Sequence, residues 1–373
     1  MSTSPLRVLH VIGAMDRGGA ETLVMNLYRN TDREKIQFDF LVNESRTCDY
    51  DEEIRSLGGR FFRVPRFNLA NTVAYRRACR EFFSTHPYQV VHGHIGFPAA
   101  IYLQLAKNAG AFAIAHSHAQ NYPLSPQEAV FRCVSNPVRR VADYFLACSE
   151  QAGLDRFGKA VVSGPSFHVL KNGIDPDVLR FSQEQRRRIR KELGVSAGTP
   201  LFGHVGRLTP VKNHLFLLDV FSEVLRELPD AQLLLLGRGE SEKDVRAHAE
   251  TLRIGESVRF LGVRDDVASL LSAMDIFVFP SLREGLANAT IEAQASGLPC
   301  LLSTGVPELA VISPTTKRLE LGLGAKAWAE AAVEAFRAPS CHRESAVGYA
   351  RTAGFDIKDS AAWLSDFYLA HAR

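Results

Sequence analysis

Apolar runs of four to seven residues alternate along the chain with longer stretches in which apolar positions recur at helical spacing. Leu6 to Ile12 is the first run; it passes through Gly13–Glu21 into a helix ending near Arg29. Further strands are expected at Phe38–Val42, Arg60–Val64, Gln89–His94, Phe112–His118, Asp143–Ser149 and Phe167–Asp175, with helices over about 51–57 and 71–84 among them. Asn121–Ser135 reads as a loop leading to a basic helix. The pattern restarts at Pro200–Gly206, continues in an amphipathic helix to Leu228, and adds strands at Gln232–Leu236, Val258–Leu261 and Asp275–Phe279. A helix over 289–295 follows, stopped by Gly297-Leu298-Pro299. Short apolar strands separated by helices predict parallel sheets covered on both faces. The restart predicts an α/β protein of two facing, doubly wound, Rossmann-like domains, residues 1–180 and 181–355, followed by a last helix in 356–373.

Composition narrows the class. A chain of 373 residues with 46% hydrophobic content can bury two cores. A charged fraction of 23% and a net charge of +3 exclude a disordered chain or a nucleic-acid coat. The basic residues favour residues 1–180, so that half could approach an anionic membrane or acceptor, although a solvated basic face is the simpler reading. The run Arg186-Arg187-Arg188-Ile189-Arg190-Lys191 is expected on a solvated helix face. Six cysteines without C-x-x-C spacing, and no apolar run near the ~20 residues a membrane span needs, predict a reduced cytoplasmic protein.

Candidate chemistry lies where strands run into helices. Glu284 falls in the loop after the strand Asp275–Phe279, and Glu292 on the helix that follows. In an open α/β sheet that is the ligand crevice, and a helix N-terminus there suits a phosphate. Two carboxylates are poor phosphate ligands, so they suit a ligand rich in hydroxyls, such as a nucleotide sugar. Arg207 and Lys212 occupy another strand–helix junction, where two cations would meet a diphosphate. Gly13, Gly18 and Gly19 make a glycine-rich turn after the first strand, but neither a G-x-G-x-x-G nor a P-loop is present, which disfavours a dehydrogenase. His92-Gly93-His94 and His116-Ser117-His118 end two strands; residues two apart share a face. Zinc would fit four histidines, yet no acidic or cysteine ligand stands at metal spacing. Burial in the core, for His92 and His116, or donation to a sugar hydroxyl or phosphate are the competing readings.

Gly18-Gly19-Ala20-Glu21, Gly206-Arg207-Leu208 with Lys212-Asn213, and Glu284 followed by Glu292 resemble the retaining family 4 glycosyltransferases of GT-B fold. Ala115-His116-Ser117-His118, Ala147-Cys148-Ser149-Glu150-Gln151-Ala152-Gly153, Leu170-Lys171-Asn172-Gly173-Ile174-Asp175 and Glu292-Ala293-Gln294-Ala295-Ser296-Gly297 are similar to the branch that builds capsule and exopolysaccharide. The resemblance implies that Gly19 offers its N–H to the donor diphosphate, countered by Arg207 and Lys212. Glu284 would serve the donor sugar or the charge developing at its anomeric carbon, with backbone N–H groups at Gly285 and Leu286, and Glu292 would take the ribose. His118 would stand beside the sugar, with Gly18, Glu21, His94 and Asn172 supporting the site. It further implies a UDP-sugar donor, no metal or other cofactor, and a lipid-linked or saccharide acceptor; the basic N-terminal half adds an expected peripheral contact with the cytoplasmic membrane face. The last helix, about Asp359–Ala370, would cross back onto the N-terminal domain through Ala362, Trp363, Phe367 and Leu369. The family usually has Glu-Gly-Phe-Gly or Glu-Gly-Leu-Pro where this chain has Glu284-Gly285-Leu286-Ala287-Asn288, which bears on the donor sugar; Asn288 is expected to cap the helix. A nucleotide-sugar epimerase or phosphorylase on the same fold, and a non-catalytic nucleotide-sugar binder, are the alternatives.

Overall fold

The computed structural model describes residues 4–118, 125–338 and 343–372. Its contacts divide the chain into two units, one comprising residues 1–173 and 357–373, the other residues 174–356. Residues 174–180 belong to the second unit: Ile174 is buried in its core, and its N–H donates to Phe355 O.

The first unit holds seven strands: β1 (Leu6–Val11), β2 (Ile36–Val42), β3 (Arg60–Arg63), β4 (Val90–Gly93), β5 (Phe112–Ser117), β6 (Tyr144–Ala147) and β7 (Phe167–Val169). Their order is β3-β2-β1-β4-β5-β6-β7, and every pairing is parallel. The alternation of each strand sorts side chains between two cores. Val8, Val90, Ile114 and Leu146 enter one, and Leu9, Val91, Ala113, Ala115 and Phe145 the other.

The helix Ile357–His371 lies on the first of these faces and packs against the helix Gly19–Asn30. Its buried positions are Ile357, Ser360, Ala361, Leu364 and Tyr368. Each large apolar side chain among these is worth about 1.5–3 kcal/mol on burial. Trp363 stacks on His168 at 3.9 Å, and Phe367 meets Phe112 and Tyr144. Ala362 and Leu369, expected to pack, face solvent, because the buried stripe runs through 357, 361, 364 and 368 instead.

The second unit holds six parallel strands: β8 (Leu201–Val205), β9 (Gln232–Leu236), β10 (Val258–Gly262), β11 (Ile276–Phe279), β12 (Cys300–Ser303) and β13 (Thr316–Leu319). Their order is β10-β9-β8-β11-β12-β13. Phe277, Phe279 and Leu302 face one core; Ile276, Val278 and Leu301 face the other.

Both sheets reverse direction of growth once, between β1 and β4 in the first unit and between β8 and β11 in the second. Loops leaving the two strands at such a point diverge to opposite faces and open a crevice at their carboxyl ends.

Two sequence expectations are corrected here. Pro126–Ser135 is a helix, N-capped by Ser125 whose hydroxyl accepts from Glu128 N–H; residues 121–124 of the expected loop lie outside the described residues. The basic run on the helix Gln183–Glu192 is not wholly solvated. Arg190 is 4% exposed, and Arg186 and Arg190 each donate to an Asp275 carboxylate oxygen at 2.6 Å. Leu201 N–H adds a third bond to Asp275 at 2.8 Å, so this carboxylate pins the base of β8 to the start of β11.

Candidate active site

At the switch point of the second unit, the loop after β8 carries Arg207 and Lys212, and the loop after β11 carries Glu284. Lys212 Nζ donates to Glu284 Oε1 at 2.7 Å, with the two side chains only 18% and 11% exposed. The Ser281 hydroxyl donates to the same oxygen and sits 2.9 Å from Val211 O. Leu282 N–H also reaches Val211 O, and Asn213 Nδ2 donates to Pro280 O at 3.2 Å. The two loops are therefore laced together along their length. Lys212 also lies over the Phe279 ring, 4.7 Å from its centroid.

The lacing leaves specific atoms available. Glu284 Oε2 has no hydrogen-bond partner among the described residues, and an ammonium with three donors keeps two after bonding Glu284. Arg207 is exposed and, among the described residues, unpaired. The Glu284 N–H is bound to Gly305 O, but the backbone N–H groups from Gly285 through Ala289 have no acceptor among the described residues. They open the helix Asn288–Ala295, whose N-cap is Ala287 at φ 56°, ψ 62°. Asn288 is thus the first helical residue rather than the cap. This left-handed conformation costs a non-glycine residue roughly 1–2 kcal/mol; here alanine carries it at the position where the family pattern often has glycine. Asn213, at φ 58°, holds the same conformation before the helix His214–Glu227.

Glu292 is on the second turn of the helix Asn288–Ala295. It is half-buried, its carboxylate has no hydrogen bond among the described residues, and desolvation raises it to about 7. An acid so placed lacks the partner that would offset its burial.

In the first unit, Gly18 is the N-cap of the helix Gly19–Asn30. A Cβ at Gly18 would fall 2.3 Å from a Glu21 carboxylate oxygen, whereas one at Gly19 would meet nothing within 4 Å. The Glu21 carboxylate is the far end of a flexible side chain that can swing aside, so among the described residues packing demands glycine at neither position. Asn172 is buried, and its Oδ1 has no partner among the described residues.

The histidines form a connected cluster that includes His10, a residue read in the sequence only as part of the first strand. His10 Nδ1 and His94 Nε2 are 3.0 Å apart, and His94 Nδ1 and His118 Nε2 are 2.8 Å apart. A second chain runs from the Tyr368 hydroxyl to His92 Nδ1 at 2.5 Å, then from His92 Nε2 to His116 Nδ1 at 3.1 Å. His92 and His116 are thus core residues with partners, one of the two readings the sequence left open. Desolvation lowers His118 to about 4, His10 to about 3, and His92, His94 and His116 well below the usual range, so all five are neutral at pH 7.

The structure brings Lys212 and Glu284 into contact, and His94 and His118. Sequence reasoning missed Ser281, Tyr368 and His10. Ser281 stands three residues before Glu284, where a loop side chain can turn back on its neighbour. Nothing local marks Tyr368, which is 276 residues from its partner His92.

Comparison with known proteins adds an independent line. Residues 17–178 match the family described as Glycosyltransferase Family 4, and residues 199–337 the family described as Glycosyl transferases group 1. The chain is 35% identical to the putative glycosyltransferase EpsF of Bacillus subtilis, covering 99% of this chain and 97% of that protein. It is 30% identical to a GDP-mannose-dependent monoacylated α-(1-6)-phosphatidylinositol monomannoside mannosyltransferase of Corynebacterium glutamicum, over 80% of each. Among solved structures, Anabaena Alr3699/HepE in complex with UDP and glucose superimposes with a TM-score of 0.81 at 19% identity, covering 98% of this chain and 100% of that one, a likeness of fold.

Glu292 generates a test with a defined sign. Its folded-state pKa is raised, so between about 4.5 and 7 the unfolded chain releases a proton that the folded chain keeps, and stability falls as pH rises. Glu292→Gln removes that penalty. Thermal melts are expected to show the variant more stable than the parent at pH 8 and equal to it at pH 4; an equal or lower melting temperature at pH 8 contradicts the assignment.

Proposed function

Since the chain belongs to the family 4 glycosyltransferases and has their GT-B fold, with two Rossmann-like domains, we propose that it is a retaining, metal-independent transferase. On this reading it moves a sugar from a UDP-sugar to a lipid-linked or saccharide acceptor in surface-polysaccharide synthesis. The observation that carries the site assignment is the Lys212–Glu284 pair at the switch point of the second sheet, with open donors beside it. Lys212 and Arg207 supply the charge that a diphosphate needs, the task a magnesium ion performs elsewhere. The free Glu284 Oε2 and the open N–H groups from Gly285 onward suit sugar hydroxyls, and Glu292 suits the ribose. A carboxylate that gains hydroxyl donors offsets its own desolvation, which gives the unpartnered Glu292 a reason to be there. Gly19 and His118 keep the diphosphate and sugar roles that the family resemblance gives them.

The UDP assignment draws on the Anabaena structure with UDP and on a UDP-Gal-dependent galactosyltransferase of Escherichia coli, 33% identical over 36% of each chain. The Corynebacterium relative takes GDP-mannose, so GDP is the natural competitor in any binding test.

The proposed reaction breaks the bond between the anomeric carbon and the β-phosphate oxygen. The acceptor hydroxyl oxygen bonds to the same face of that carbon, and its proton passes to the departing phosphate oxygen. This needs positioning and charge stabilisation rather than a side-chain nucleophile. Double displacement would need two carboxylates flanking the bond at about 5 Å; Glu284, tied at Oε1 by Lys212 and Ser281, is built as a clamp.

Peripheral membrane contact is part of the proposal. No helix among the described residues is long and apolar enough to cross a membrane. Between Glu53 and Glu81 the chain has seven arginines and no acid. Arg63, Arg66, Arg76, Arg77 and Arg80 of this stretch are exposed without ion pairs among the described residues, beside Leu69 at 55% and Val73 at 83% exposure. Each arginine near an anionic surface is worth about 1 kcal/mol.

Glu284→Gln is expected to slow transfer by about a hundredfold or more while leaving UDP affinity nearly unchanged, and Arg207→Ala to weaken UDP binding. Steady-state transfer and calorimetry separate the two effects; normal turnover in both variants would sink the site assignment. In flotation assays the protein is expected to rise with anionic vesicles and not with zwitterionic ones. Replacing Arg76, Arg77 and Arg80 by glutamine should abolish this; equal flotation with both vesicle types removes the basic face from the account.

A further inference from the structure

The first unit has a cavity of about 160 Å³ at the carboxyl ends of β4 and β5, lined by His94, Gly96, His116, His118, Phe131 and Arg156 among others. By liquid volume it has room for about five waters. Among the described residues three groups of its lining lack a counterpart: Arg156, His116 Nε2 and a nitrogen of His118.

The first is Arg156. Its guanidinium lies 4.2 Å from the Phe131 ring centroid, donates to Ser135 Oγ at 3.3 Å, and forms no ion pair among the described residues. Nearby Glu128 is engaged by Arg132 at 2.8 Å. Burial lowers Arg156 to about 10, so at pH 7 it remains a desolvated cation.

The second is His116, 5% exposed, whose Nε2 is buried without a partner among the described residues. The chain behind it fixes what that atom is. His92 Nδ1 is the one partner of the wholly buried Tyr368 hydroxyl among the described residues, so the assignment that leaves no buried hydroxyl proton orphaned has Tyr368 donating to it and the proton of His92 on Nε2. That N–H donates to His116 Nδ1, so His116 carries its own proton on Nε2. The buried atom is a donor awaiting an acceptor.

We propose that this cavity is an anion site that takes a phosphate group of the acceptor, held by Arg156 and by the Nε2–H of His116. The inference rests on the transferase reading and names the chemistry of its acceptor. The imidazoles are also grouped closely enough to ligate a metal ion. The nearby carboxylates, Glu128 and Asp155, already accept from Arg132 and Gln151, and Arg132 and Arg139 add positive charge around Arg156, so a dication there would meet further cations, which favours an anion.

Pyrophosphate titrated calorimetrically into the full chain with excess UDP, which fills the donor site, should still bind. Arg156→Gln should lower that affinity at least tenfold, with Arg156→Lys recovering part of it. In histidine-labelled, otherwise unsubstituted protein, the Nε2–H signal of His116 should shift as pyrophosphate is added, a readout independent of how the variants fold. Malonate in the same titration separates phosphate from carboxylate: preference for malonate overturns the assignment. Absence of pyrophosphate binding with UDP binding intact overturns this inference and leaves the transferase reading standing. Absence of UDP binding is instead a failure of that reading. Saturable Zn²⁺ binding that displaces pyrophosphate and is lost in His116→Phe overturns the anion site in favour of a metal site.

Discussion

The ion pair between Lys212 and Glu284 is the constraint on which the candidate active site depends. Adjacent strands of a parallel sheet deliver loops that leave their carboxyl ends in different directions, and nothing in the sheet itself holds those loops together. Here one buried charge contact does, reinforced by Ser281 on the same carboxylate oxygen and by Val211 O accepting from Leu282 N–H. Taking two charges this far out of water is costly, and the arrangement is sustained because each charge satisfies the other. The result is a carboxylate with one oxygen fixed and one open, and an ammonium with donors to spare. A left-handed alanine and a run of unpaired N–H groups sit immediately beside them.

The first unit solves a different problem. Its strands bring five imidazoles together in and just beyond a sheet that would ordinarily be filled by aliphatic side chains. Burial keeps them neutral, and their own ring nitrogens satisfy most of one another's needs. The C-terminal helix takes part in this network as well as covering it: the Tyr368 hydroxyl lies 2.5 Å from His92 Nδ1 and ends that row.

Much of this was legible in the sequence. The apolar runs located eleven of the thirteen strands, and the restart at Pro200 marked the second sheet. Strands β12 and β13 went unread, since Cys300–Ser303 directly follows the helix stop and Thr316–Leu319 is half charged. The junctions holding Arg207, Lys212 and Glu284 could be placed because strand–loop–helix order fixes the crevice end. What could not be read was long-range pairing. Whether Arg190 faces water depends on Asp275, 85 residues away, and whether His92 is core or ligand depends on Tyr368. Ala287 shows the limit from the other side: its identity was visible, but its left-handed backbone is a property of the loop.

Calorimetric titration of the purified protein with UDP, alongside GDP and with and without EDTA, addresses the central claim most directly. The account predicts that one UDP binds per chain, more tightly than GDP, with an affinity EDTA does not change, because Arg207 and Lys212 supply the charge themselves. Failure of either nucleotide to bind, or binding abolished by EDTA, would contradict it.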